Sequence, residues 1–153
     1  MPSTTRIERS IVIAAPIAEI LPHLTDFHRW IAWSPWEGQD PELHRTYSGT
    51  PGSVGAAYAW KGNRKAGAGT MTLTRIEPAR VDVDLRFTAP FRSTSTVVFD
   101  LTEADGRTEI VWRMESPRTL SSRIMGAVVN IDKLVGGDFE KGLAKLRDVV
   151  ESA

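Results

Sequence analysis

Two stretches in the second half of the chain alternate so regularly that they constrain the whole architecture. In 80–88, Val81, Val83, Leu85 and Phe87 alternate with Asp82, Asp84 and Arg86. In 107–115, Ile110, Trp112 and Met114 alternate with Glu109, Arg113 and Glu115. A period of two sends successive side chains to opposite faces of a strand, so each stretch has one apolar and one charged face. Between them, 93–103 carries Val97, Phe99 and Leu101 on one face, and Asp105-Gly106 follows as a hairpin turn. Strands joined by such short turns form an antiparallel meander with one face to be covered.

The remaining segments extend this pattern. Gly49-Thr-Pro-Gly52, Gly62-Asn63 and Pro78 punctuate three further strands at 41–48, 56–61 and 66–77. Ile7, Ile11 and Ile13 share one parity and predict an opening strand at 6–13. Pro16 suits the first turn of a helix, and Ile17, Ile20, Leu21 and Leu24 then recur at helical spacing over 16–25. Thr25 or Asp26 caps a second helical turn through Phe27–Ala32, which Ser34-Pro35 ends. After Pro117 the period is helical again. Leu120, Ile124, Met125 and Val128 form one stripe; Ile131, Leu134, Val135, Phe139, Leu143, Leu146, Val149 and Val150 form another. Gly136-Gly137 bends this helix or lets it pass close to the sheet. The order is strand, two short helices, six strands, long helix. No linker interrupts it, so one α+β domain over 1–153 is expected, with the last helix covering the apolar face of a seven-stranded sheet.

Composition removes several function classes. The chain has no cysteine, which excludes thiol nucleophiles, thiolate metal sites and disulfides. Lys and Arg number 19, as do Asp and Glu, and the signs are interleaved. Nucleic-acid binding, which favours a basic stripe, is not expected. The segment 11–21 is broken by Pro16 and Glu19 and does not read as a leader, and no apolar run reaches the ~20 residues of a membrane span. A cytoplasmic protein is the expectation.

Several segments together resemble the START/Bet v 1-like (SRPBCC) superfamily, and within it the bacterial polyketide cyclase/dehydrase-like branch. They are the opening strand with Ala15-Pro16, then Phe27-His-Arg-Trp-Ile-Ala-Trp-Ser-Pro-Trp36 with Asp40-Pro41. Tyr47-Ser-Gly49 with Gly52 and Gly55, Tyr58-Ala-Trp60, Gly67-Ala-Gly69 and the tail Asp138-Phe-Glu-Lys-Gly-Leu143 complete the match, which covers nearly the whole chain. The resemblance implies a helix-grip fold, a curved antiparallel sheet around a long C-terminal helix. It spans lipid carriers, hormone receptors and aromatase/cyclases, so it does not by itself assign an activity.

The candidate site is the inner face. His23, His28 and His44 lack the i, i+4 spacing of a helical metal site, no nucleophile elbow is present, and the glycine-rich stretches match no phosphate or dinucleotide loop. No metal, cofactor or catalytic residue is assigned. By parity the inner face carries Met71, Leu73, Val81, Val83, Leu85, Phe87, Ser93, Ser95, Val97, Phe99, Leu101, Ile110, Trp112 and Met114, and almost no ionisable group. Gly67 and Gly69 share the parity of Met71 and are expected to leave a hollow at one end. The expected ligand-binding residues are Trp30, Trp33, Tyr58, Trp60, Met71, Phe87, Phe91, Ser93, Ser95, Trp112, Met114, Met125 and Phe139. Trp30, Trp33 and Trp36 form either an aromatic gate or the anchor of a long loop. The expected function is non-catalytic binding of a hydrophobic small molecule, such as a lipid, polyketide or isoprenoid. A polyketide cyclase or dehydratase is the first alternative and a co-chaperone-like interaction module the second. An inward-facing acid, base or arginine would favour the enzyme.

Overall fold

The computed structural model describes residues 4–34, 42–62, 67–89, 92–117 and 131–152. The elements are β1 (Thr4–Ile13), α1 (Ile17–Thr25), a 3₁₀ helix η1 (Phe27–Ala32), β2 (His44–Ser48), β3 (Ala57–Lys61), β4 (Ala68–Glu77), β5 (Arg80–Ala89), β6 (Ser93–Ala104), β7 (Arg107–Pro117) and α2 (Ile131–Glu151). The expected order is therefore present, with β2, β3 and β4 starting one to three residues later than the sequence patterns suggest. Pro41 and Ala66 fall outside the described residues.

All seven strands pair antiparallel in one curved sheet, in the order β1-β7-β6-β5-β4-β3-β2. The first strand pairs with the last, with Ile7 opposite Met114 and Arg9 opposite Trp112. Asp105 and Gly106 both take positive φ, 54° and 74°, the backbone that a tight hairpin between β6 and β7 requires.

The two faces of the sheet differ as the alternation demands. The outer face carries interleaved charges: Arg80 Nε lies 2.7 Å from Asp82 Oδ1, Arg113 Nη2 donates to Asp100 Oδ2 at 2.7 Å, and Arg86 Nε donates to Asp84 Oδ2 at 2.8 Å. The concave face buries Leu73, Val81, Val83, Val97, Phe99, Leu101, Ile110 and Trp112. Phe139, Leu143, Leu146 and Val150 of α2 are buried in the same core, so the helix stripe covers the sheet as its spacing implies. The first stripe, Leu120 through Val128, lies outside the described residues.

Side chains far apart in sequence hold the β1–α1 corner. Pro16 offers no side-chain cap, and Glu103 Oε1 instead accepts a hydrogen bond from Ile17 N at 2.7 Å. Thr108 Oγ1, fully buried, donates to Ala15 O at 2.7 Å, and Ala14 N donates to Glu151 Oε2 at 3.0 Å. The first bond satisfies an N–H that the helix start leaves open, and the other two satisfy backbone groups of the segment leading into it. Of the two cap candidates for η1, Asp26 takes the role, accepting from His28 N at 3.0 Å, while Thr25 Oγ1 donates back to Leu21 O. Of the glycine pair in α2, Gly136 is the one that close packing requires; a Cβ at Gly137 would meet nothing within 4 Å. A Cβ at Gly136 would stand 2.5 Å from Arg9 Cζ, so the missing side chain makes room for the guanidinium of β1. Arg9 Nη1 donates to Glu8 O at 2.7 Å.

Candidate functional site

The concave face is built in rows, because each cross-strand pair places its two side chains side by side. One row runs Trp112–Phe99–Val81 across β7, β6 and β5. A second runs Ser95–Leu85–Met71–Tyr58–Tyr47 across β6 to β2. A third, nearer the β3–β4 turn, runs Ser93–Phe87–Gly69–Trp60–Arg45.

The first row is filled. The Trp112 indole stacks on Phe139 of α2, with centroids 4.1 Å apart and planes 4° apart, and lies 5.3 Å from Phe99. Trp33 meets Trp112 edge-on at 5.5 Å and Phe99 at 6.2 Å, and Trp30 meets Trp33 at 4.6 Å. Trp30 and Trp33 are 4% and 0% exposed. Their indole N–H groups donate back to Leu24 O and His23 O, each at 3.0 Å. These bonds lock η1 against the end of α1, so the two rings anchor the corner, while Trp36 lies outside the described residues. Trp30, Trp33, Trp112 and Phe139 thus come together in one packed cluster.

The third row is more open. Trp60 and Phe87 are half-buried and meet edge-on at 5.5 Å, and Tyr58 stacks beside Trp60 at 5.9 Å. Met71 and Ser95 are buried in the adjoining row; Met114, opposite Ile7 and Val97, is half-buried. Ser93 stands opposite Phe87 in register, and its side chain, with Phe91 and Met125, falls outside the described residues.

Two sequence expectations need correction here. Gly69 does not leave a hollow: the Trp60 ring occupies its place, and a Cβ at Gly69 would stand 2.7 Å from Trp60 Cη2. Gly67 serves a turn, with φ of 64° and its carbonyl accepting from Gly62 N. The inner face is also less free of charge than the parity of β4–β7 suggests. Arg9 shares the parity of Ile7 and Ile13, Arg45 that of Tyr47, and Glu103 that of Leu101. Glu103 is engaged at the start of α1. Arg45 could have been found by pairing Arg45-Thr46-Tyr47 with Tyr58-Ala59-Trp60 as a hairpin, which aligns Arg45 with Trp60.

Sequence reasoning also missed a surface cleft of about 210 Å³ between η1 and the β2–β3 loop, lined by Asp26, Phe27, His28, Tyr47, Gly49 and Pro51 among others. His28 stacks on Tyr47 at 3.8 Å, and its Nδ1 lies 3.0 Å from Asp26 Oδ1. On α1, burial lowers the pKa of His23 below its ordinary 6.5, and the positive charge of Arg29 lowers it further. Among the described residues no group of three or more His, Asp or Glu side chains is placed to hold a metal ion. None of the described helices is long and apolar enough to cross a membrane.

A seven-stranded antiparallel sheet gripping a C-terminal helix, with two short helices after the first strand, defines a START/Bet v 1-like protein. The chain belongs to the family described as polyketide cyclase / dehydrase and lipid transport, whose model matches residues 4–151. No curated protein sequence matches it significantly. Solved structures share the fold at low identity. The crystal structure of Ara h 8.0201 is 15% identical, with a TM-score of 0.61 over 99% of this chain and 100% of that one. CalU16 from Micromonospora echinospora is 16% identical, with a TM-score of 0.61 over 98% and 86%. The Aha1 dimer from Colwellia psychrerythraea is 17% identical, with a TM-score of 0.66 over 96% of each chain.

Proposed function

We propose that this chain, acting as one domain over 1–153 in the cytoplasm, binds a hydrophobic small molecule (a lipid, polyketide or isoprenoid) between sheet and α2 without transforming it. One observation carries the reading: the concave face changes character along its length. At Trp112 it is filled by Phe139 and Trp33. Toward the β3–β4 turn it presents half-buried Trp60 and Phe87, with Met71 and Tyr58 beside them. Half-covered aromatic rings on an otherwise buried face gain from a further apolar partner, since covering them removes more apolar surface from water. Of the expected contacts, Tyr58, Trp60, Met71, Phe87 and Ser95 belong to this wall, while Met114 stands in another row, opposite Val97. The family description, which names lipid transport, supports the same reading.

A second reading, a cyclase or dehydratase, is favoured by Arg45, an inward-facing arginine on the same row, and the family description names these activities too. A guanidinium stabilises a developing oxyanion but does not exchange protons near neutral pH. No carboxylate or imidazole stands on the strand positions that carry Trp60 and Phe87, so binding is preferred over catalysis. Titration with Nile red, an uncharged dye, tests the proposal. Saturable binding to the native protein, with quenched tryptophan emission and a raised Tm, is expected. Dye binding only to partly unfolded protein would contradict it.

A further inference from the structure

The geometry points to a second, separate ligand site in the surface cleft between η1 and the β2–β3 loop, where the His28 imidazole accepts a hydrogen bond from a small uncharged phenol. This goes beyond the concave-face reading and does not rest on it. The cleft measures about 210 Å³ and is lined by Asp26, Phe27, His28, Tyr47, Pro51 and Ala56 among others. Sites for drug-sized ligands run to roughly 300–1,000 Å³, so this one takes a single ring. Its walls are tied together. Gly52 N of the loop donates to Thr25 O at 3.2 Å, and the His28 ring lies flat on Tyr47, with centroids 3.8 Å and planes 19° apart. A Cβ at Gly49 would stand 2.9 Å from Ala56 Cα, so the two ends of the loop are in close contact.

The surroundings of His28 fix which ring nitrogen carries the hydrogen. Its Nδ1 lies 3.0 Å from Asp26 Oδ1, and the same oxygen accepts from His28 N at 3.0 Å. An ionised carboxylate only accepts, so Nδ1 of the neutral ring is the donor and Nε2 keeps the lone pair. His28 makes no other hydrogen bond among the described residues, and its side chain is 51% exposed. Nε2 is therefore an acceptor within reach of a ligand's O–H. Charge selects against ions. Asp26 is the only carboxylate among the described lining residues, and Arg29 Nε stands 3.8 Å from its Oδ2. The two charges offset each other, which leaves neither a cation nor an anion an uncompensated partner. The apolar atoms of Phe27, Pro51, Ala56 and Ala57 suit an aromatic ring. A phenol supplies that ring and one O–H donor.

The test labels the histidines with nitrogen-15 and titrates the protein with 4-methylphenol and, separately, with its methyl ether 4-methylanisole, which keeps the ring and lacks the donor. Mildly alkaline buffer keeps the imidazole neutral and the phenol protonated. Before any addition, the nitrogen-15 spectrum should show His28 Nδ1 protonated and Nε2 bare. The phenol is expected to shift the Nε2 signal along a saturating curve. Affinities read from the amide signal of Gly49, a lining residue, should favour the phenol over the ether about tenfold, the factor that one well-formed hydrogen bond supplies. His28→Phe, which keeps a ring over Tyr47 and removes the acceptor, should bind phenol and ether alike. A protonated Nε2, an Nε2 signal that the phenol does not move, or equal affinity for the two compounds overturns the site. So does a preference that survives in His28→Phe. The wild-type readings need no variant, so the proposal stays open to refutation even if His28→Phe does not fold.

Discussion

The indole of Trp60 lies across the α-carbon of Gly69, its partner on the neighbouring strand, where any Cβ would press on Trp60 Cζ2 at 2.9 Å and on the Arg86 carbonyl oxygen. The glycine is a seat for an aromatic ring, and it places that ring next to Phe87.

Gly69→Ala should therefore destabilise the fold by about 1–3 kcal/mol, the usual range for overpacking, because a backbone carbonyl cannot move aside. Chemical denaturation measures this directly. A midpoint equal to wild type would show that the ring does not occupy the site. The same substitution should also alter ligand affinity, but through displacement of Trp60.

Gly136→Ala is the contrasting case. The atoms a Cβ would meet belong to the Arg9 guanidinium, the far end of a flexible side chain. Its ion pair with Glu140, at 4.0 Å, is partly exposed and adds little. Alanine also favours the helix by up to ~1 kcal/mol over glycine. The two effects oppose each other, so stability should stay within ~1 kcal/mol of wild type. A loss above ~2 kcal/mol would show that Arg9 is locked in place.

Leu143→Ala should cost about 2–5 kcal/mol, as a fully buried leucine on the stripe that covers the sheet. An unchanged denaturation midpoint would remove α2 from the core.

Much of this architecture was legible in the residues. The alternation of Val81–Phe87 and Ile110–Met114 identified the concave face because every intervening position is polar or charged except Val111. The stripe Phe139, Leu143, Leu146 located the covering face of α2 for the same reason. What stayed hidden depends on register between strands. Arg45 sits in a strand whose alternation is less regular, so its face follows only from the pairing with Trp60, whereas Arg9 shares the parity of Ile7, Ile11 and Ile13 and sequence reasoning simply missed it. The filling of Gly69 was invisible because parity says which face a side chain takes, not which neighbour leans over it. The indole N–H bonds of Trp30 and Trp33 join residues six and ten positions apart around an irregular corner, where no periodicity operates.

Burial and Arg29 lower the pKa of His23, so the folded state favours the neutral imidazole. The unfolded chain then binds the proton more readily, and linkage sets the sign. The His23 contribution is fully present above the ordinary value of 6.5 and is lost as pH falls from there through the lowered folded value. The stability of His23→Gln should depend less on pH than wild type across that window. Parallel pH profiles for the two proteins would show that His23 is equally free to titrate in both states.

The most direct test of ligand binding on the concave face labels the methionine methyl groups with carbon-13 and titrates the protein with 2-naphthylmethanol while recording their NMR signals. Met71 stands opposite Tyr58, and Met114 lies on the same concave face opposite Val97. Aromatic ring currents from a ligand against Trp60 and Phe87 should shift the Met71 signal along a saturating curve, and more strongly than that of Met114, which stands in the row of Val97 and Val83 two strands from Phe87. If Met71 holds its position as the compound binds, the ligand lies elsewhere and the concave face is a packed core.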